Sequence, residues 1–179
     1  MTTKTVLITG ASSGIGLDVA RGFLERGSNI VMNARNSEKL ANAAQKLGDE
    51  KRIAIVPGDI GNKETGEKLV RTAVERFDSA DVLVNNAGIF GAKPFLENTE
   101  EDIDKYIHIN LKGTYFVTQA VVRQMKKQGG GSIVNIGTVL ITHSMASLPA
   151  SAALITKGGV HALTTSLASE LAVDNIQVN

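Results

Sequence analysis

Short apolar runs alternate with longer amphipathic segments along this chain. Thr5–Thr9 is a continuous run of strand-forming residues, as expected for a strand that is covered on both faces. Apolar residues then recur at helical spacing over 14–26, and Gly27 ends that helix. This alternation of βα units predicts an α/β fold built around a parallel sheet.

The same pattern continues to the end of the sequence. The further strands are predicted at 29–34, 52–56, 81–84, 132–136 and 175–179. The further helices are predicted at 37–47, with Ser37 as the cap, and at 63–77, 99–128 and 150–172. No repeat or linker interrupts the pattern, so a single domain over 1–179 is expected.

Charge and composition argue against several classes of partner, site and location. The formal net charge is +1, which gives no reason to expect nucleic acid or an anionic membrane as a partner. The chain has no cysteine, which excludes disulfides, thiolate metal sites and cysteine catalysis. No apolar stretch approaches the roughly 20 residues that span a bilayer. We therefore expect a soluble, cytoplasmic protein.

A glycine-rich segment joins the first strand to the first helix. It reads Thr9-Gly10-Ala11-Ser12-Ser13-Gly14-Ile15-Gly16. Glycines let the backbone turn tightly and approach a pyrophosphate, and the free N–H groups of a helix N-terminus favour negative charge. A tight turn with no ligand is the alternative, but the position between strand and helix favours phosphate binding.

The spacing G-x-x-x-G-x-G resembles the cofactor motif of the short-chain dehydrogenase/reductase family. Asn85-Asn86-Ala87-Gly88 matches the family's N-N-A-G motif, and Asp59 matches its adenine-contacting acid. Asn110 matches the asparagine of the long helix, and Lys157 matches the lysine of Y-x-x-x-K. The resemblance runs over 4–179.

The resemblance implies a Rossmann-type, doubly wound parallel sheet with helices on both faces, in three layers α/β/α. It also implies that the domain binds a dinucleotide. The cofactor-binding residues are then expected to be Gly10, Ser12, Ser13, Gly14, Ile15, Gly16, Arg35, Asp59, Ile60, Asn86, Ala87, Gly88 and Lys157.

The end of the second strand indicates which dinucleotide is bound. An NAD site carries an acidic residue there, but this chain has Ala34 followed by Arg35. A guanidinium can pair with the 2′-phosphate of NADP, so NADP is favoured and NAD stays possible. Arg35 is alternatively a solvated residue, and the nearby Glu38 weakens the preference. Some NADP-dependent relatives carry a basic residue where this chain has Ser13.

The resemblance implies a catalytic tyrosine four residues before Lys157, where this chain has Ala153. In the family the tyrosine is the general acid, the lysine lowers its pKa, and a serine after the fifth strand binds the substrate oxygen. Thr138 keeps a hydroxyl near that serine position, although the usual spacing falls on Leu140. The expected catalytic residues are therefore Asn110, Thr138 and Lys157.

Other residues with acid or nucleophile chemistry are weaker candidates. Tyr106 and Tyr115, the only tyrosines, lie in the preceding long helix. His143, Ser144 and Ser147 lie after the fifth strand, and His143 has the chemistry of a general acid. A surface loop histidine is the alternative that we favour.

No metal site is predicted. His108 and His161 lie inside predicted helices without ligand partners at metal spacing, and Asp102 and Asp104 are explained by the start of a helix.

These observations predict an NADP(H)-dependent oxidoreductase that acts on a small-molecule carbonyl or secondary alcohol. The alternative is a dinucleotide-binding pseudoenzyme, or an inactive fragment, with a structural or regulatory role. Ala153 supports the alternative, as does the chain end at Asn179, where relatives continue through a substrate-covering segment. The domain is therefore expected to be truncated at the start of its sixth strand.

The two long helices carry apolar residues on more than one face, namely Val117, Val121, Leu163 and Leu167. One face covers the sheet and the other requires a partner. Because these helices form a dimer interface in the family, a homodimer or homotetramer is predicted.

Overall fold

The computed structural model describes residues 3–179. The strands are β1 (Thr5–Thr9), β2 (Asn29–Ala34), β3 (Ile53–Pro57), β4 (Val82–Asn85), β5 (Gly131–Asn135) and β6 (Ile176–Val178). The α-helices are α1 (Gly14–Glu25), α2 (Ser37–Leu47), α3 (Lys63–Phe77), α4 (Glu100–Tyr106), α5 (Thr114–Gln128) and α6 (Ser151–Glu170). Short 3₁₀ helices lie at Phe95–Glu97, Val139–Ile141 and Ala172–Asp174.

The strands form one parallel sheet in the order β3-β2-β1-β4-β5-β6. The chain runs outward from β1 through β2 to β3, and then returns to β4 on the other side of β1. The order therefore reverses between β1 and β4, which is where ligands bind in sheets of this type. The predicted doubly wound parallel sheet is confirmed.

Alternation along the strands divides the core between the two faces of the sheet. Leu7 packs with residues of α3 and α5, whereas Val6 and Ile8 pack with residues of α1 and α2. Strand side chains point to opposite faces in turn, so each strand serves both layers. The result is the predicted three-layer α/β/α arrangement, with helices on both faces.

Two helix starts show how side chains set the boundaries. The cap of α2 is Asn36, whose Oδ1 accepts from the backbone N–H of Lys39 at 2.8 Å, so the prediction of Ser37 as the cap is wrong by one residue. Thr99 caps α4 and exchanges hydrogen bonds with Asp102 in a capping box. The Lys93 ammonium beside Asp102 lowers the pKa of that carboxyl to about 2.

The predicted helix over 99–128 is not one regular α-helix. A π-helical segment, Ile107–Gly113, lies between α4 and α5. At its end, a Cβ on Gly113 would lie 2.6 Å from the side chain of Ile60, so glycine permits a close contact with the segment after β3. At its centre, the Asn110 side chain bonds outside the helix. Such contacts stabilise a helical irregularity that periodicity alone does not reveal.

Other boundaries differ from the predictions by one or two residues. For example, α6 ends at Glu170 and a 3₁₀ turn follows, where a helix to residue 172 was predicted. Within residues 3–179, no helix is both long enough and apolar enough to cross a membrane.

Candidate cofactor and active site

The carboxyl ends of β1, β2 and β4 surround a cavity of about 440 Å³, which we call the cleft. It lies where the strand order reverses. Its lining residues are Gly10, Ser12, Ser13, Ile15, Asn33, Ala34, Arg35, Asn36, Gly58, Asp59, Ile60, Asn86, Ala87, Gly88, Ile89 and Ile109. Ten of the predicted cofactor-binding residues are in this set. Gly14, Gly16 and Lys157 are not.

The turn after β1 needs glycine for two different reasons. Gly10 has φ +66°, and a Cβ there would lie 2.9 Å from the Cα of Ala87, so both backbone conformation and contact require glycine. Gly16 lies beneath the turn, where a Cβ would lie 2.5 Å from both Gly10 O and Asn86 Nδ2. Gly16 therefore lets α1 pack directly against the turn without itself facing the cleft.

Hydrogen bonds fix the turn to the end of β4. The Thr9 hydroxyl accepts from the backbone N–H groups of Asn86 and Ala87 at 3.1 and 3.0 Å. The Asn86 side chain donates in return to the carbonyls of Thr9 and Gly10 at 3.0 and 3.2 Å. These hydrogen bonds therefore hold the β1 turn and the N-N-A-G segment together at the floor of the cleft.

The N-terminus of α1 opens into the cleft. Its N-cap, Ser13, is extended, and its hydroxyl makes no capping hydrogen bond. The first N–H groups of a helix lack partners within the helix, and together with the helix dipole they favour an anion. This arrangement has the shape and the donors that a pyrophosphate requires.

The first asparagine of the N-N-A-G segment lies beneath the cleft rather than in its wall. Asn85 donates through Nδ2 to Thr118 Oγ1 at 2.8 Å and to Asn135 Oδ1 at 2.9 Å. Asn135 Nδ2 in turn donates to Thr164 Oγ1 on α6 at 2.8 Å. Asn85 is thus a structural link between β4, β5 and the helices on one face.

The far end of the cleft is shaped by the segment after β3. Asn33 Nδ2 donates to the carbonyls of Val56 and Gly58 at 2.9 and 3.1 Å, which ties the ends of β2 and β3 together. Asp59 Oδ1 accepts from Gly61 N at 2.9 Å and lies 3.4 Å from His108 Nε2. The Asp59 carboxylate is thereby held at the wall, where it can accept from an adenine amino group.

Arg35 lies at the rim of the cleft beside Ala34. Its side chain is exposed. Within residues 3–179 it forms no ion pair with any carboxylate, and this includes the nearby Glu38. The guanidinium is therefore free to bind an anion at the mouth. The carboxamide of Asn36, which follows it, is used to cap α2.

Asn110 joins the loop after β4 to α6. It is 1% exposed, accepts from Ile89 N at 2.8 Å, and donates to Ile89 O and to Thr156 Oγ1, both at 3.0 Å. Thr156 in turn donates to the Ala153 carbonyl at 2.8 Å. Because the Asn110 side chain is fully engaged in these contacts, it positions the loop and the helix relative to each other.

Lys157 projects from α6 toward the same region. Its ammonium donates to the carbonyl of Ile136, just beyond β5, at 2.5 Å. A Cβ on Gly88 would lie 3.5 Å from Lys157 Nζ and 3.2 Å from Asn110 Oδ1, so the amine lies against the cleft wall that Gly88 forms. Burial lowers the pKa of Lys157 from the usual lysine value.

The position of the expected tyrosine is closed. Ala153 is 0% exposed, so a larger side chain there requires its neighbours to move. Thr138 caps the 3₁₀ helix Val139–Ile141, and its Oγ1 accepts from Leu140 N at 3.3 Å, which leaves its hydroxyl hydrogen for another acceptor. Of the two positions considered for the family's serine, Thr138 and Leu140, Thr138 alone carries a hydroxyl.

The alternative acids are on the surface of the loop that follows β5. His143 is exposed, and its Nδ1 lies 2.8 Å from Thr142 Oγ1. Ser144 and Ser147 are exposed on the same loop. None of the three is among the residues that line the cleft. Within residues 3–179, no group of three or more His, Cys, Asp or Glu side chains is arranged to hold a metal ion.

Sequence reasoning missed Thr9 and Asn33 as residues that shape the cleft. Both are about 1% exposed at the ends of apolar strands. A polar residue in a buried strand must find a hydrogen-bond partner, and this was the available signal. The partners themselves, at the ends of β3 and β4, are far away in sequence.

The chain matches the family model for short chain dehydrogenases over residues 4–179. L-rhamnose-1-dehydrogenase from Scheffersomyces stipitis is 37% identical over 98% of this chain and 70% of its own length. L-sorbose reductase from Gluconobacter frateurii, solved with NADPH and L-sorbose, superposes with a TM-score of 0.92 at 31% identity over 100% of this chain and 68% of the reductase.

A gluconate 5-dehydrogenase from Burkholderia cenocepacia, solved with NADP and tartrate, gives a TM-score of 0.88 at 34% identity. That alignment covers 100% of this chain and 70% of the dehydrogenase. Sequence and fold thus agree over nearly all of this chain. The chain belongs to the short-chain dehydrogenase family of oxidoreductases.

Proposed function

We propose that the chain is an NADP(H)-dependent oxidoreductase that interconverts a carbonyl compound and a secondary alcohol. The observation that carries this proposal is the cleft, which combines the open N-terminus of α1 with the exposed guanidinium of Arg35 at its rim. The amine of Lys157 lies close to Gly88, which is one of the residues that line the cleft. Similarity to enzymes named for L-sorbose, L-rhamnose and gluconate supports polyhydroxylated substrates.

The residues of the cleft fit a dinucleotide. Gly10 and Gly16 remove the side chains that would separate the turn from α1 and from β4, and this leaves backbone N–H groups for a pyrophosphate. Asp59 would accept from the adenine, Arg35 would bind a 2′-phosphate, and Lys157 would hold the nicotinamide ribose. When bound, the reduced nicotinamide supplies a hydride to the carbonyl carbon.

The chain's own residues would orient the substrate but provide little acid catalysis. The Thr138 hydroxyl, whose hydrogen is free, would donate to the substrate oxygen. Asn110 would hold the loop after β4 against α6. The methyl group of Ala153 cannot donate a proton. The substrate oxygen that becomes the alcohol must therefore take its proton from water or from another donor. Slow turnover is therefore expected, because a positioned general acid contributes about 10²–10⁴-fold.

Nucleotide binding without turnover is the second candidate function, and Ala153 is the observation that favours it. The two functions are distinguished by assaying NADPH consumption with L-sorbose and the keto derivatives of gluconate, and NADP⁺ reduction with L-rhamnose. Turnover that depends on the sugar supports the oxidoreductase. Tight NADPH binding without any turnover supports the second candidate.

Arg35→Ala is expected to weaken NADPH binding about 10–150-fold, because a charge-assisted hydrogen bond contributes about 1.5–3 kcal/mol. NADH lacks the 2′-phosphate, so its binding should be almost unchanged. Titration of both cofactors, followed by nicotinamide fluorescence, measures the difference. Lys46→Ala is the matched control, because it removes one exposed positive charge at the other end of α2. An equal loss in both variants contradicts the assignment of Arg35.

The proposed partner of the long helices is a second copy of the chain. Val117 and Val121 are fully buried against the sheet, so they do not belong to the outer face. Leu163 and Leu167 line an outer groove between α5 and α6, with Tyr115 beside them. The same groove also contains charges of both signs, which suits pairing about a two-fold axis.

Leu163→Asp is expected to convert the oligomer to monomer, because it places an unpaired charge in an apolar contact. Light scattering at micromolar concentration measures the mass. Val173→Asp, at a position that is 90% exposed, is the control and should stay oligomeric. A monomeric wild-type chain would contradict the proposed interface.

A further inference from the structure

The π-helical segment Ile107–Gly113 packs closely against the residues that follow β3. A Cβ on Gly61 would overlap the imidazole ring of His108, so the ring lies directly against the Gly61 backbone. A Cβ on Gly113 would lie 2.6 Å from Cδ1 and Cγ1 of Ile60. Two glycines, one on each side of the contact, therefore let the π-helical segment lie directly against residues 60 and 61.

This packing brings the imidazole of His108 to the carboxylate of Asp59. His108 Nε2 lies 3.4 Å from Asp59 Oδ1, and the backbone N–H of Gly61 donates to the same oxygen at 2.9 Å. A carboxylate only accepts, so the imidazole nitrogen that faces it is the one that carries hydrogen. Both side chains are partly exposed, and such a pair adds little to the stability of a fold. The contact is therefore better suited to orienting the carboxylate than to stabilising the domain.

The two oxygens of Asp59 have different surroundings. Both contacts fall on Oδ1, and among residues 3–179 no group donates a hydrogen bond to Oδ2. The N–H of Gly61 holds Oδ1 from within the same turn, whereas His108 holds it from a separate element. Since a carboxylate is planar, holding one oxygen from two sides limits the directions that the other can take. Asp59 lines the cleft, so Oδ2 is the oxygen available to a donor on a bound ligand.

From these contacts we infer that His108 is a positioning residue that acts through Asp59 and sets the preference of the cleft for adenine over purines without a 6-amino group. The inference rests on the proposed function, in which Asp59 accepts from the adenine, and it adds the residue that makes this contact selective. The amino group of adenine donates to the carboxylate, whereas hypoxanthine has a carbonyl oxygen at that position, which the carboxylate repels. Selectivity is a difference between two affinities, and it falls when the carboxylate is free to turn away.

Paired titrations measure this preference. The full chain and its variants are titrated with NADPH and with reduced nicotinamide hypoxanthine dinucleotide phosphate, and nicotinamide fluorescence follows the binding. The wild-type chain should bind NADPH about 10-fold or more tightly, as expected for a hydrogen bond to a charged acceptor. His108→Ala should lower this ratio to about 3-fold or less, since an exposed pair contributes up to about fivefold. His108→Gln should restore most of the ratio, because its amide can still donate to Asp59.

Further variants separate positioning from a general effect on the fold, with the fold of each checked by circular dichroism. In an Asp59→Ala background, His108→Ala should leave the ratio unchanged, because the residue through which it acts is gone. Gly61→Ala keeps the carboxylate but displaces the imidazole ring, so it should lower the ratio as His108→Ala does. His161→Ala removes an exposed histidine of α6 and is the matched control, which should keep the wild-type ratio.

The outcomes distinguish this inference from the proposed function. NADPH binding with the same ratio in the wild-type chain and in His108→Ala overturns the inference and leaves the proposed function standing. An equal loss of affinity for both cofactors in His108→Ala indicates a structural role only, and it overturns the inference as well. If the folded wild-type chain binds neither cofactor, the proposed function is contradicted and the inference fails with it.

Discussion

Replacing Ala153 with tyrosine is expected to raise the rate of carbonyl reduction about 10²–10⁴-fold, the usual contribution of a positioned general acid. Residues 153 and 157 are four apart on α6, so a phenol at 153 would lie on the same helix face as the Lys157 amine. The nearby ammonium would favour proton release from the phenol. Consumption of NADPH with L-sorbose, and with the keto derivatives of gluconate, measures the gain.

The control variant for Ala153→Tyr must also introduce an aromatic ring, because the ring itself needs space at this position. Ala153 is fully buried, so both tyrosine and phenylalanine displace its neighbours to a similar extent. Ala153→Phe has the same ring without the hydroxyl, and it should leave the rate at the level of the wild-type chain or below. Equal rates for the two variants, with NADPH binding intact in both, would show that proton donation does not limit this site.

The fold was predictable because its signals are local. Val6, Leu7 and Ile8 form an apolar run that needs cover on both faces, and the structure provides it with two separate core clusters. The positions of helices and strands follow from such runs and from the glycines between them. The π-helical segment around Asn110 was not predictable, because it depends on contacts with Ile60 and Ile89, which are distant in sequence.

The candidate site was predictable only in part. The resemblance placed Asp59, Arg35 and the N-N-A-G segment at one edge of the sheet, and the structure brings them around one cleft. The burial of Ala153 and the hydrogen bond from the Lys157 amine to the Ile136 carbonyl were not visible from sequence. Both depend on which backbone atoms fill the space beside a side chain, and motif spacing does not carry that information.

Gly16→Ala is expected to weaken binding of either nicotinamide cofactor more than about 10²-fold. A Cβ at this position would lie 2.5 Å from Gly10 O and from Asn86 Nδ2, so α1 must move away from the turn. That shift misaligns the N–H groups at the start of α1, and losing two charge-assisted hydrogen bonds costs about 3–6 kcal/mol. Fluorescence titration with NADPH and NADH measures the loss.

Gly14→Ala is the matched control, because it adds the same methyl group only two residues away, at the first residue of α1. Gly14 has φ +55°, and a Cβ there meets nothing within 4 Å, so the expected cost is backbone strain of about 1–2 kcal/mol without displacement of α1. Gly14→Ala should therefore lower the stability to urea while largely preserving cofactor affinity, and Gly16→Ala should lower both. If Gly16→Ala bound NADPH like the wild-type chain, the pyrophosphate would not depend on the contact between α1 and the turn, and the cofactor would have to be held by other parts of the cleft.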